Sequence, residues 1–131
     1  MPEPIRIAAA LIEDGAGRLL LVRKRGTAAF MQAGGKIEGG ETSYQALARE
    51  LGEELGFTPE PAFACYIGCY RAEAANEPGY VVEAELYRVR APGEAFTLGA
   101  ELEEMLWVTP AAAQALILAP LTRDCVLPLA G

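Results

Sequence analysis

The segment from Gly35 to Phe57 constrains the fold of this chain more than any other. It holds five glutamates in 23 residues, and three of them, Glu50, Glu53 and Glu54, are spaced i, i+3, i+4. On an α-helix this spacing puts three carboxylates on one face. Crowded carboxylates repel one another unless a cation lies among them, and hard cations such as Mg²⁺ prefer oxygen ligands. The spacing therefore predicts a metal-binding helix, and its plain alternative is a solvated acidic face.

The residues around these glutamates predict where the helix begins and ends. Thr42 is an N-cap, and Gln45 three residues later completes a capping box. Gly56 suits a left-handed C-terminal cap. Gly52 lies inside the helix at a cost of about 1 kcal/mol against alanine, which indicates either close packing or mere tolerance. The opposite face is apolar and predicts contact with the core; it carries Tyr44, Leu47, Ala48, Leu51 and Leu55.

The glycines, the arginine and the glutamates together resemble the box that defines the Nudix family, and the loop before the helix is similar to its MutT-like branch. Every specified position of the box is filled, by Gly35, Glu41, Arg49, Glu50, Leu51, Glu53, Glu54, Gly56 and Phe57. The resemblance implies an α/β fold, a Nudix-type α/β/α sandwich with a central mixed β-sheet. It also implies a Mg²⁺-dependent hydrolase of a nucleoside diphosphate linked to another moiety, with Mn²⁺ as a substitute ion.

The resemblance also assigns roles to individual residues. It implies that Glu53 and Glu54 bind the metal, that Glu50 is either a ligand or the catalytic base, and that Gly35 offers its carbonyl. Arg49 is expected to orient Glu41 by a bidentate pair. The catalytic set is Glu50, Glu53, Arg49 and Glu101, and the metal set is Gly35, Glu50, Glu53 and Glu54.

A later acid completes the site in many relatives, and Glu101, Glu103 and Glu104 are the candidates here. Glu101 fits the spacing to Trp107 best, and solvated acids are the alternative for all three. Arg23 and Arg25 end the second predicted strand and, with Lys36 in the glycine loop, are the candidate substrate-binding residues. A guanidinium can hold a phosphate through a fork of donors, although a solvated basic edge explains the arginines equally well.

The chemistry explains why acids belong beside an anionic substrate. Pyrophosphate oxygens repel a nucleophile, and a bound metal both screens them and lowers the pKa of a water. A nucleoside triphosphate is the first expected substrate, and a dinucleoside polyphosphate or nucleotide sugar is the second. The alternatives are a non-catalytic nucleotide-sensing Nudix module, and an isoprenoid diphosphate isomerase, which the absence of histidine disfavours.

Composition limits the remaining possibilities. A chain of 131 residues predicts a single domain over residues 1–131. Its net charge of −7 argues against nucleic acid and membrane surfaces, so the expected partner is a nucleotide-type small molecule. The three cysteines predict free, buried thiols in a reducing compartment, hence a cytoplasmic protein. A homodimer is left open, because nothing in the chain decides it.

Apolar and alternating segments predict the remaining elements. Strands are expected at 5–12, 18–22, 30–31, 62–71, 80–90 and 105–108. Turns are expected at 13–17 and 91–94, and an acidic segment at 101–104 before the last strand. Thr109 and Pro110 predict a helix through about Leu116. The tail from Pro120 is expected to be extended or a short helix.

Overall fold

A mixed six-stranded sheet forms the centre of the molecule. In the computed structural model, residues 2–91 and 96–130 are described. The strands follow the order β4-β5-β1-β2-β6, and β3 pairs with β1 off this path. Only β1 and β5 run parallel; the other pairs are antiparallel. The strands are β1 (Ile5–Glu13), β2 (Leu19–Lys24), β3 (Ala33–Lys36), β4 (Ala64–Glu73), β5 (Val81–Arg90) and β6 (Leu102–Val108).

Helical segments cover both faces of the sheet, so the predicted α/β/α sandwich is confirmed. Residues Ala8, Ala10 and Ile12 of β1 pack with the leucines of α1 (Ser43–Leu55). The alternate residues Ala9 and Leu11 pack with Leu121, Val126 and neighbouring residues of the C-terminal segment. Because β1 is buried on both faces, its sequence is apolar at nearly every position instead of alternating.

The predicted ends of the acidic helix are confirmed. The Gln45 amide donates to Thr42 Oγ1 at 3.1 Å, and the Thr42 amide donates to Gln45 Oε1 at 2.9 Å, which closes the capping box. Gly56 adopts a left-handed conformation with φ 63° and ends the helix. In the described ranges of the chain, no helix is long and apolar enough to cross a bilayer.

Three local predictions differ from the structure, and the tail takes the second of its two expected forms. Residues 30 and 31 form isolated bridges to Leu118 and Val22, and the strand itself starts at Ala33. Strand β6 starts at Leu102, so most of the acidic segment is strand. The second helix, α2 (Pro110–Ala113), is shorter than predicted. The tail is helical, with a π-helical turn at Thr122–Val126 and a 3₁₀ turn at Leu127–Leu129. Most of the predicted turn at 91–94 lies outside the described residues.

The cysteines are free, as predicted, but the prediction that they are buried is wrong. Cys65 and Cys69 are exposed, and Cys125 is half-buried. Both exposed thiols lie on β4, which is an edge strand of the sheet. The sequence of β4 does not show which of its two faces is covered by the rest of the molecule, so it could not predict the exposure of these cysteines.

Gly52 gives a direct test of helix energetics. A Cβ built there meets no atom within 4 Å, so tolerance, and not close packing, explains this glycine. We expect Gly52→Ala to raise the free energy of unfolding by about 1 kcal/mol. Gly56→Ala is the matched control and should lower it by about 1–2 kcal/mol, because its φ is left-handed. Urea unfolding followed by Trp107 fluorescence measures both, and equal shifts in the two variants would contradict the assignment.

Candidate active site

The acidic face of α1 lies directly on the backbone of β3. A Cβ placed on Gly35 would collide with the carboxylate of Glu50. One residue earlier, the Gly34 amide donates to Glu54 Oε1 at 2.9 Å. Glycine at position 35 therefore allows the helix to approach until its carboxylates touch the strand. This contact explains why the sequence places a glycine pair before the helix.

Arg49 binds the loop and the helix at once. Its Nε and Nη2 donate to the two oxygens of Glu41 at 2.8 and 2.9 Å, the bidentate pair that the resemblance implied. Nη1 donates to Glu50 Oε1 at 2.8 Å, and Nη2 also reaches the Lys36 carbonyl at 3.0 Å. The pair with Glu53, at 3.6 Å, is longer. One guanidinium thus binds two carboxylates by hydrogen bonds and offsets charge on others nearby.

These bonds shift the proton equilibria of both partners. The hydrogen bonds from the Arg49 side chain lower the pKa of Glu41 to about 2. The bonds to Glu41 and Glu50 raise the pKa of Arg49 further above its already high value. Both groups are therefore charged throughout the physiological range of pH, which keeps the fork intact.

Glu54 is the buried acid of the site. Only 5% of this residue is exposed. Burial raises its pKa to about 7; the negative charges of Glu50 and Glu101 add to the rise, and the Gly34 amide and Lys24 oppose it. A carboxylate that is desolvated and surrounded by other acids gains most from a nearby cation.

A loop fixed to the end of α1 brings Glu101 to the same place. The Thr97 amide donates to the Leu55 carbonyl at 3.0 Å, and the Gly99 amide donates to the Glu54 carbonyl at 2.8 Å. A Cβ on Gly99 would collide with the Glu53 carbonyl. Glu101 then lines one small cavity with Glu53 and Glu54.

The two other candidate acids face away from this cavity. Glu103 pairs with Arg25 at 2.7 Å, and Glu104 pairs with Arg23 at 3.2 Å. Glu101 is thus the later acid that the structure brings to the helix. Its spacing to Trp107 favoured Glu101 in the sequence. Nothing there pointed to Gly99, the glycine that permits the contact between this loop and α1.

The donor set fits a divalent cation in its chemistry. Within residues 2–91 and 96–130, no three acidic or thiol side chains form a ready-made metal cluster. Arg49 holds Glu50, and 62% of the Glu53 side chain is exposed. Nevertheless the candidate ligands are oxygens of the hard type, Glu54 is buried and forms no ion pair with the other described residues, and the glycine at position 35 lets the Glu50 carboxylate lie against β3. The metal roles of Gly35, Glu50, Glu53 and Glu54 stay predictions.

The three candidate substrate-binding residues differ in their surroundings. Arg23 and Arg25 pair with the acids of β6, and their role in substrate binding stays a prediction. Lys36 lies 3.7 Å from Glu77 and remains largely exposed. Lys24, which sequence reasoning passed over, has no ion pair among the described residues and lies near Glu54. Successive strand residues point to opposite faces, which separates Lys24 from Arg23.

A second cavity lies on the other side of β3 and was not predicted. Its volume is about 160 Å³. Apolar side chains of β1, β5 and the C-terminal segment form its walls, including Ile7, Val82 and Leu121. Lys24 and Lys36 line it together with the glycines of β3. Since Gly34 and Gly35 contact Glu54 and Glu50, this cavity adjoins the acidic site.

The sequence matches a known domain over almost its whole length. The model of the NUDIX domain matches residues 3–129. An 8-oxo-dGTP diphosphatase of Haemophilus influenzae is 33% identical over 79% of this chain and 75% of that protein. A CTP pyrophosphohydrolase of Escherichia coli is 33% identical over 88% of this chain and 84% of that protein.

Two further comparisons concern length and fold. An octanoyltransferase of Myxococcus xanthus is 35% identical over 82% of this chain, and the chain spans only 31% of that longer protein. The crystal structure of a MutT protein from Methanosarcina mazei matches with a TM-score of 0.79 and 24% identity, covering 98% of this chain and 94% of that one. The fold is therefore shared with proteins of this kind.

The Glu41–Arg49 fork predicts a specific acid response. Because the folded pKa of Glu41 is about 2, below its ordinary value of 4.5, this carboxylate stabilises the fold above pH 4.5 and stops doing so as the pH falls toward 2. We expect the difference in unfolding free energy between wild type and Glu41→Gln to be constant above pH 4.5 and to vanish near pH 2.

Urea unfolding at a series of pH values, without added metal, measures this difference. Glu38→Gln is the matched control, because its carboxylate is 72% exposed and lies 3.9 Å from Arg49. That variant should follow the wild-type curve. A Glu41→Gln effect that does not change with pH would contradict the fork as its cause.

Proposed function

The chain belongs to the Nudix family, and on that premise we propose that it is a hydrolase of nucleoside triphosphates that works with Mg²⁺, or with Mn²⁺ in its place. As a Nudix hydrolase it acts on nucleotide-linked substrates. Water attacks phosphorus, and a nucleoside monophosphate and pyrophosphate are released. The observation that supports this best is the acidic face of α1, with a buried Glu54, lying against the glycines of β3.

The names of the relatives support the substrate class. Both the diphosphatase of Haemophilus influenzae and the pyrophosphohydrolase of Escherichia coli are named for nucleoside triphosphates, and each matches most of this chain. The uniform oxygen donors of the site favour a hard divalent ion over a softer transition metal. The proposed ligands are Glu50, Glu53, Glu54 and the carbonyl of Gly35. When bound, such an ion screens the phosphate oxygens and lowers the pKa of a water.

We assign the proton from the attacking water to Glu101. Arg49 donates to Glu50 Oε1 at 2.8 Å, so that oxygen is already engaged in a hydrogen bond and is less free to meet the attacking water. Glu101 has no ion pair among the described residues, and it shares a cavity with Glu53 and Glu54. Arg49 is a positioning residue in this scheme.

Cationic side chains near the glycine strand would hold the phosphates. Lys24 and Lys36 both line the second cavity, beside the acidic face. Arg23 and Arg25 are held by shorter ion pairs, at 3.2 and 2.7 Å. Lys36 lies farther from its carboxylate partner, at 3.7 Å, and is largely exposed, so we place the first phosphate contacts at the two lysines. The nucleoside would then occupy the apolar cavity, which at about 160 Å³ is smaller than the roughly 300 Å³ that drug-sized ligands require. Such a volume suits one planar part of a nucleotide.

Activity measurements test the assigned roles. On a panel of nucleoside triphosphates with Mg²⁺, we expect Glu53→Gln and Glu101→Gln to lower kcat by roughly 100-fold or more, because each removes a carboxylate used in the reaction. Asp124→Asn, which removes an equal charge on the opposite face of the sheet, should leave kcat unchanged. The measurement is nucleoside monophosphate and pyrophosphate release. A wild type that binds nucleotides tightly and releases no product would indicate the non-catalytic module instead.

Thermal unfolding tests the metal site separately. A ligand that binds only the folded state at a hundredfold excess over its Kd stabilises by about 2.7 kcal/mol. We expect Mg²⁺ to raise the Tm of wild type accordingly. Glu54→Gln should raise the Tm of the metal-free protein, since it removes a buried charge, and should abolish the Mg²⁺ response. Asp124→Asn should keep that response. A wild-type Tm that ignores saturating Mg²⁺ and Mn²⁺ would contradict the metal site.

A further inference from the structure

Gln32 places an unsatisfied amide group at the second cavity, the one beyond β3. The residue is 6% exposed and lines the cavity together with Thr122. Its Nε2 is the one buried side-chain nitrogen or oxygen without a hydrogen-bond partner among the described residues. Buried amides are almost always paired, because an unpaired donor loses its bonds to water and gains nothing in return. An orphaned donor at a cavity therefore points to a ligand that would accept its hydrogen bond.

The neighbouring hydroxyl fixes which end of the amide is free. Thr122 Oγ1 donates to Gln32 Oε1 at 2.8 Å, and Thr122 is fully buried. In this arrangement the hydroxyl hydrogen and the amide oxygen are both used, and only Nε2 is left over. Turning the amide by 180° would leave both the amide oxygen and the hydroxyl hydrogen without a partner. Thr122 thus keeps Gln32 as a donor toward the cavity.

Part of the cavity wall is apolar and suits a flat group, while Glu73, Asn76 and Glu77 also line the cavity. Ile7 and Val82 come from adjacent strands of the sheet, and Leu121 comes from the segment that covers them. The lysines lie where the cavity adjoins the acidic site. A nucleotide fits this division, with its phosphates near Lys24 and Lys36 and its base among the apolar side chains.

We propose that Gln32 is a specificity-determining residue that donates a hydrogen bond to a carbonyl oxygen of the nucleobase. The assignment rests on the proposed function, in that it takes the cavity to hold the base of the substrate. At the corresponding edge, hypoxanthine carries a carbonyl oxygen where adenine carries an amino group, and uracil differs from cytosine in the same way. A fixed donor can form a hydrogen bond with the carbonyl oxygen of the keto base. The amino base places a second donor opposite the first, so this hydrogen bond cannot form.

Two pairs of nucleotides isolate this contact. Inosine and adenosine monophosphate, and uridine and cytidine monophosphate, are titrated against the metal-free protein by calorimetry. The same four bases as triphosphates are then compared by kcat/KM with Mg²⁺. We expect wild type to favour the keto member of each pair by roughly tenfold or more in both measurements, since a mismatched polar group in a buried site is strongly disfavoured.

Two near-isosteric variants change only the polar end of the side chain. Gln32→Met removes the donor and should bring both ratios close to one, chiefly by weakening the keto member. Gln32→Glu keeps the bond from Thr122, replaces the donor by an acceptor and should reverse the preference. Thr122→Val releases the amide and should reduce the preference without reversing it. Trp107 fluorescence and urea unfolding establish that each variant is folded, and if Gln32→Met is not, Gln32→Glu alone decides.

The outcomes separate the two proposals. Turnover of all four triphosphates without a keto preference, or a preference that both Gln32 variants retain, overturns the role of Gln32 and leaves the hydrolase intact. A keto preference in monophosphate binding that Gln32→Met abolishes, in a protein that hydrolyses nothing, supports Gln32 and overturns the hydrolase. A wild type that neither binds nor cleaves any of the four overturns both.

Discussion

The guanidinium of Arg49 is the contact on which the acidic site depends. It reaches Glu41 in the loop, Glu50 on the helix and the carbonyl of Lys36 at the end of β3. Without a cation at this point, the carboxylates of the loop and the helix would repel one another, and the loop would have no fixed position against α1. A lysine could supply the charge and up to three hydrogen bonds, but not the bidentate pair with Glu41, because an ammonium lacks the planar fork. One guanidinium thus fixes the positions of the glycine strand, the loop and the helix relative to one another.

The glycine strand serves two environments at once. On one side, Gly35 leaves space for the carboxylate of Glu50, and the Gly34 amide binds Glu54. On the other side, the same residues line an apolar cavity whose polar end is Gln32. Only the backbone of β3 separates the acidic site from the apolar cavity, so one anionic substrate can contact both. The unpaired donor in that wall and the desolvated carboxylate opposite are both unfavourable for the empty protein, and a ligand would relieve each of them.

The features that depend on residues close together in the sequence were predicted correctly. The capping box at Thr42, the left-handed Gly56 and the apolar stripe of α1 depend on residues a few positions apart, and all three are present. The bond between Gln32 and Thr122 joins residues 90 positions apart, so the sequence gives no sign that the two side chains meet. Lys24 was passed over because, in the sequence, it looks equivalent to the arginines on either side of it. Only the strand shows that Lys24 and Arg23 point to opposite faces of the sheet. The exposure of Cys65 likewise depends on which strand ends the sheet.

The parallel ladder of β1 and β5 has a consequence for how the chain acquires its structure. Its register joins residues 77 positions apart throughout, from Ile5 with Val82 to Glu13 with Arg90. Closing so long a loop costs chain entropy before any of these contacts contributes, and topologies rich in such distant contacts fold more slowly than helical bundles of equal size. The hairpin of β1 with β2 needs no such closure. We therefore expect β1 to pair with β2 early in folding and with β5 later.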